Sequence, residues 1–136
     1  MVKINAVYEG DLHCRVTHEQ SGSVISTDAP KDHMGKGEAF SPTDLVAAVL
    51  ASCMATIMGI AAQKHNIDLK GLKVDVIKEM VMGPVRKIGM ISVDIYMPKG
   101  IALEKRSLLE NAAHTCPVHK SLHPDVQTPI QFHYGD

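Results

Sequence analysis

Three thiols stand far apart in this chain, at Cys14, Cys53 and Cys116. An odd count at such spacing is unlike the disulfide framework of a small secreted domain, and leaves reactive thiols, metal ligands or inert core residues. Cys116 directly precedes Pro117, so it is placed to cap a short helix starting at the proline, where amide donors favour a thiolate. It also lies at the end of an element, where local unwinding can bring it to another sulfur. Cys53 lies nine residues beyond Asp44, inside a run that reads as a helix interior, so the partial charge at the helix start is too distant to activate it. An activating cation has to come from Arg15, Arg86 or Arg106, the only arginines. A guanidinium over the sulfur would stabilise both a thiolate and the charge developing on a leaving oxygen. The alternative is that Cys53 is an inert core residue. As a pair, two such cysteines suit peroxide chemistry: one thiolate attacks the O–O bond and becomes a sulfenic acid, and the other thiol condenses with it to a disulfide. Cys14, on a predicted strand beside Arg15, reads as a structural or surface thiol.

The histidines offer a rival chemistry. His114, Cys116, His119 and His123 cluster within ten residues, and His119 and His123 are four apart, as on one helical face. A zinc site can be drawn from them, although the spacing matches no common closed site. Solvated or capping histidines are the simpler account, and no metal or cofactor is expected. Met54, Met58, Met80, Met82, Met90 and Met97 read as core and interface filler.

Composition narrows the function classes. Charges nearly cancel, to a formal net charge of -1 over 136 residues, and no basic block is present that would neutralise a run of phosphates, so nucleic acid is not an expected partner. The hydrophobic fraction of 45% is enough for one domain, residues 1–136, to bury a core without staples. Aromatic residues make up only 4%, with no Trp, so the core is built from Ala, Val, Ile, Leu and Met, which hints at oligomerisation. The start of the chain, Met1 to Ala6, lacks the basic-then-apolar pattern of a secretory signal, and the expectation is a cytoplasmic protein.

The elements that must position these residues follow from period and punctuation. Residues 3–8, 12–18 and 22–27 are short β-branched runs separated by Glu9-Gly10-Asp11 and Gln20-Ser21-Gly22, which predicts an antiparallel meander. Residues 29–40 have turn formers and no period, and read as a surface loop at the margin of a site. Ser41-Pro42-Thr43-Asp44 is a helix start: Ser41 can accept from orphan amides, Pro42 suits the first position, and Asp44 completes a capping box. From Leu45 to Ala62 almost every residue is apolar or small, and a helix apolar all round is expected to be buried all round. Its length approaches that of a membrane span, but it is Ala-rich, lacks aromatic anchors and precedes amphipathic segments, so no membrane is expected. Residues 72–78 alternate as a half-buried strand, residues 88–97 form another, and Gly83-Pro84 is the turn between them. Residues 103–114 read as an amphipathic helix, 117–122 as a helical turn and 128–134 as a closing strand.

The run Ser41-Pro42-Thr43-Asp44-Leu45-Val46-Ala47-Ala48-Val49-Leu50-Ala51-Ser52-Cys53 resembles the helix start and Cys-bearing central helix of the OsmC/Ohr family, and Thr115-Cys116-Pro117-Val118 resembles its second, Cys-Pro motif. The resemblance extends over essentially the whole chain and includes Glu9-Gly10-Asp11 in the first turn. It implies an α+β fold in which antiparallel sheets wrap a long central helix in an intertwined homodimer, with active sites at the dimer interface. It further implies a thiol peroxidase in which Cys53 attacks organic hydroperoxides by preference, with hydrogen peroxide as a further substrate, and Cys116 resolves the sulfenate as a disulfide that small dithiols or lipoyl groups reduce. Peroxidase members carry a Glu near the helix start that orients an Arg. Here Thr43 stands at that position with Asp44 adjacent, and Arg15 is the nearest match to the Arg. The resemblance thus implies Arg15 as the polarising cation with Asp44 or Glu38 orienting it. The alternative for the same fold is a non-enzymatic homodimer whose apolar interface pocket binds a fatty or redox-active small molecule.

Overall fold

The computed structural model describes residues 1–135. Its contacts cluster into two compact units, Met1–Val46 and Ala47 onward. The long helix α1 (Pro42–Lys64) starts in the first unit and continues in the second.

The first unit is an antiparallel meander of β1 (Ile4–Gly10), β2 (His13–His18) and β3 (Val24–Asp28). Between β1 and β2 the backbone of Gly10, Asp11 and Leu12 takes positive φ at three successive positions, 88°, 53° and 60°. Gly10 tolerates this without steric cost, and Asp bears it better than most residues. The strands leave large apolar side chains open: Ile4, Val7, Tyr8, Val24 and Ile25 are all exposed.

After β3 the chain folds back as the loop over residues 29–40, with a single 3-10 turn at Lys31–His33. Backbone bonds fasten it: the Asp28 amide donates to the Phe40 carbonyl at 3.1 Å, Ala29 to Leu12 at 3.1 Å and Gly37 to Ala29 at 3.3 Å. A Cβ on Gly35 would stand 1.8 Å from the Ala29 carbonyl oxygen, so only glycine permits this approach.

The helix start follows the predicted capping box. The Ser41 amide donates to Asp44 Oδ2 at 2.9 Å and the Asp44 amide donates to Ser41 Oγ at 3.0 Å. Two otherwise orphaned donors are thereby satisfied, and Pro42 supplies none.

In the second unit, β4 (Lys73–Val81), β5 (Lys87–Met97) and β6 (Ile130–Tyr134) form a sheet in that order, interrupted in sequence by α2 (Leu103–Ala113) and α3 (Pro117–Ser121). β4 and β5 pair antiparallel, but β6 pairs parallel to β5, so this sheet is mixed. A strand that returns after a helical connection can re-enter in the direction of the strand it left, as a hairpin cannot. The core draws on Leu50, Met54 and Met58 of α1, Ile91, Val93 and Ile95 of β5, and Leu109 and Ala113 of α2, all essentially inaccessible. The C-terminal strand is tied to α2 by the Tyr134 hydroxyl, which donates to Glu110 Oε2, and by the Arg106 guanidinium 4.0 Å from the Tyr134 ring centroid.

One expectation does not hold in the single chain. Only the stripe Ala47, Leu50, Met54, Met58 and Ala62 of α1 is buried, at intervals of three and four. Val49 and Ile60 on other faces are each 46% exposed. The helix is long and apolar enough to cross a membrane by length and composition, a test that core helices also pass. Its apolar character exceeds what one copy of the chain covers.

Candidate redox site

Cys53 sits in mid-helix, next to the buried Met54 and one turn beyond the buried Leu50, at the edge of the buried stripe and itself half-buried. Neither end of α1 is near it. Cys116 is positioned differently. α2 ends at Ala113, and the amides of His114, Thr115 and Cys116 donate back to Asn111, Ala112 and Ala113 in a tightened last turn. Cys116 then turns extended (φ −53°, ψ 121°) as the N-cap of α3, and Pro117, which has no amide to satisfy, takes the first helical position. Cys116 Sγ accepts the His119 amide at 3.4 Å, and its carbonyl accepts Lys120 at 3.0 Å.

These two placements bring the sulfurs together. Both thiols are free, Cys116 is fully buried, and Cys53 stands near enough to it to contribute to the upward shift of its pKa. Burial, reinforced by the nearby Cys53, pushes the Cys116 thiol above its ordinary value, while the His119 and Val118 amides pull the other way and lose. This corrects the expectation that the cap would favour a thiolate at Cys116. Two amides of a five-residue helix do not offset removal of the sulfur from water.

His119, read from sequence only as a drawn zinc ligand, has a local structural part. Its Nε2 and Thr128 Oγ1 are 2.7 Å apart, and its amide is the donor to Cys116. Nδ1 is buried without a hydrogen-bond partner among the described residues. Burial first, then the charges of Lys120 and His114, holds the imidazole below its ordinary pKa, so it is neutral near pH 7. The other members of the drawn zinc set are occupied elsewhere: His123 Nδ1 accepts the Asp125 amide at 3.0 Å, and His114 stands edge-on to Phe132. Among the described residues no three His, Cys, Asp or Glu side chains gather in a metal-binding group. The position three after Cys116, the amide that a cap must receive, was the signal that could have marked His119.

The remaining site candidates lie in the first unit. Arg15 is exposed on β2, opposite Val7 and Ser26, and Cys14 follows the other face, opposite Tyr8 and Thr27. Asp44 Oδ2 accepts the Ser41 amide. The Glu38 amide donates to Asp28 Oδ2 at 3.0 Å. Among the described residues no ion pair joins Arg15 to Asp44 or Glu38. The unit's close ionic contact is one that sequence reading missed: His13 Nδ1 lies 2.7 Å from Asp28 Oδ1, and Glu9 Oε1 lies 3.6 Å from His13 Nε2. The bond to Asp28 raises the His13 pKa against desolvation, and the same bond lowers that of Asp28. The partners are fifteen residues apart, and only strand register, His13 opposite Asp28, brings them together. In the second unit Arg86, just before β5, buries its Nε and Nη2 atoms, another feature that spacing does not reveal.

Comparison with known proteins adds relatives to this geometry. The family described as OsmC-like protein matches residues 35–131. No curated protein matches the sequence significantly. Among solved structures, a protein of Psychrobacter arcticus 273-4 described as an osmotic stress induced and detoxification response protein is 43% identical, with a TM-score of 0.92 over 98% of this chain and 96% of that one. The organic hydroperoxide resistance protein OsmC of Legionella pneumophila superposes with a TM-score of 0.78 at 16% identity, covering 98% and 96% of the two chains. The organic hydroperoxide resistance protein OhrB of Bacillus subtilis gives 0.71 at 22% identity, covering 97% of each.

Proposed function

Since this chain belongs to the OsmC-like family, we propose that it is a cytoplasmic thiol peroxidase that reduces organic hydroperoxides, with hydrogen peroxide as a further substrate, in defence against oxidative stress. The observation that carries this reading is the pairing of two free thiols of unequal exposure, Cys53 half-buried and Cys116 fully buried. The names of the Legionella pneumophila and Bacillus subtilis relatives support the substrate class.

The Cys53 thiolate attacks the peroxide. An S–O bond forms, the O–O bond breaks, and the alkoxide leaves and takes a proton from water, so that sulfur is oxidised by two electrons and the peroxide is reduced to an alcohol. Cys116 then attacks the Cys53 sulfur, hydroxide is expelled, and the disulfide that forms is reduced by a small dithiol or lipoyl-type group. The more accessible sulfur meets the peroxide and the buried one is kept for the second step. Arg15 polarises the peroxide in this reading, with Asp44 or Glu38 orienting it. The working form is a homodimer in which one domain, residues 1–136, is completed by its twin. The open apolar side chains of β1 and, separately, the exposed Val49 and Ile60 of α1 favour such a partner, because large apolar side chains left open to water are candidates for cover by a second copy.

The test is steady-state reduction of tert-butyl hydroperoxide and of hydrogen peroxide with a dithiol, comparing the parent with Cys53→Ser, Cys116→Ser and Cys14→Ser. Turnover lost in the first, reduced in the second and kept in the third upholds the assignment. No turnover by the parent above the reductant alone moves the function to the ligand-binding alternative.

A further inference from the structure

We propose that His13 and Asp28 form a proton-operated clasp on the loop over residues 29–40: a charged His13 holds the loop against β2 and β3, and loss of that charge loosens the loop together with the segment that leads into α1. The inference stands apart from the peroxidase reading and concerns the first unit alone.

Asp28 is the junction of the clasp. It is buried at the end of β3, and both carboxylate oxygens are engaged, Oδ1 by His13 Nδ1 at 2.7 Å and Oδ2 by the Glu38 amide at 3.0 Å. Its own amide donates to the Phe40 carbonyl at 3.1 Å, next to Ser41, whose side chain caps α1. One residue thus ties β2, through His13, to the far end of the loop. The near end is held by backbone alone, from the Ala29 amide to the Leu12 carbonyl at 3.1 Å. The bond to Glu38 runs through a carboxylate, so its strength follows the charge that the carboxylate carries and keeps.

The His13 side chain is 36% exposed and, with Asp28, lines a cleft of about 230 Å³. Its ring therefore exchanges protons with water while the loop is in place. The cleft also carries Glu9 of β1, Asp11 of the first turn, and Lys36 and Glu38 of the loop. The bond to Asp28 first, then the charges of Glu9 and Glu38, favour the imidazolium against desolvation, and Lys36 favours the Asp28 carboxylate. When His13 turns neutral, Asp28 is left as a buried carboxylate without the cation that touches it, an arrangement that costs far more than the intact pair. Hydration of the carboxylate then competes with the Glu38 bond, and the far end of the loop opens to admit water.

The experiment is amide hydrogen exchange at Glu38, followed by nuclear magnetic resonance on both sides of the His13 transition and corrected at each pH for the intrinsic rate. The Val93 amide, bonded to the Pro129 carbonyl in the second unit at 2.9 Å, is the internal reference. The expected result is Glu38 protection that falls roughly fivefold as pH rises through the His13 transition, since a charge-assisted hydrogen bond exceeds a neutral one by that order, with Val93 unchanged. His13→Gln keeps a donor but has no charge to lose, and is expected to show the parent's high-pH protection at every pH. Parent protection that is independent of pH, a His13→Gln variant that still loses protection with rising pH, or an equal loss at Val93 overturns the clasp. Should His13→Gln not fold, the parent's curve decides: its midpoint has to coincide with the His13 titration followed by the imidazole ring protons, and any other midpoint overturns the inference.

Discussion

The sulfur pair of the second unit and the His13–Asp28 pair of the first are both two-residue contacts between distant stretches of chain, yet they settle their protons oppositely. At Cys116, burial outweighs the amides that would stabilise an anion, and the thiol keeps its proton. At His13 and Asp28, a 2.7 Å bond between potential opposite charges outweighs desolvation, and both groups are driven toward their charged forms. The difference lies in the partner. A second thiol offers Cys116 no compensating positive charge, whereas Asp28, itself only 6% exposed, offers His13 a full negative one. One contact is thereby suited to redox chemistry, and the other to fastening the loop over residues 29–40, whose Glu38 amide also rests on Asp28.

Substitutions can break this contrast. The largest effect is expected from Cys53→Ser, which removes turnover to the level of the reductant alone while leaving the melting temperature within a few degrees of the parent; peroxide consumption and thermal unfolding measured on the same preparation check both halves. Leu109→Ala, in the core of the unit that holds the sulfurs, should cost about 2–5 kcal/mol in urea unfolding, because a fully buried leucine leaves a cavity that neighbours only partly close.

Asp28→Asn sharpens the ionic side. His13, with its pKa raised from 6.5, contributes stability that is fully present below 6.5 and fades as pH rises through its folded value. Asp28, lowered from 3.8, contributes stability present above 3.8 that is lost as pH falls through its folded value. The stability gap between parent and Asp28→Asn should therefore be widest between pH 3.8 and 6.5 and narrow outside that window, as a series of thermal melts would reveal. A gap independent of pH would mean that the pair is held as a neutral hydrogen bond. The smallest expected effect is that of Ser41→Ala, about 1 kcal/mol in chemical unfolding, from loss of one half of the capping box.

Much of the local structure was legible from residue order. The meander, the capping box at Ser41 and Asp44, the strands on either side of Gly83-Pro84 and the Cys-Pro helix start each depend on neighbours within a few positions. The parallel entry of β6 was not legible, because 32 residues of α2, α3 and connections separate it from β5 and its own pattern suits either direction. Nor was the exposure of Val49 and Ile60, since an all-apolar helix announces that it will be covered without saying by which chain. The His13–Asp28 contact escaped for the same reason as the burial of Arg86: each depends on what long-range folding places around a side chain.

The candidate site divides along this line. Sequence alone determined that a thiol would stand in the middle of an apolar helix and another at a proline-started cap, because helix initiation and capping are short-range matters of dihedral preference and unpaired amides. Tertiary structure decided that the two sulfurs meet, that the capped one keeps its proton, and that a histidine and an aspartate fifteen residues apart share another. Desolvation and charge–charge contact depend on every group that folding brings within a few ångströms, and most of those groups are far away along the chain.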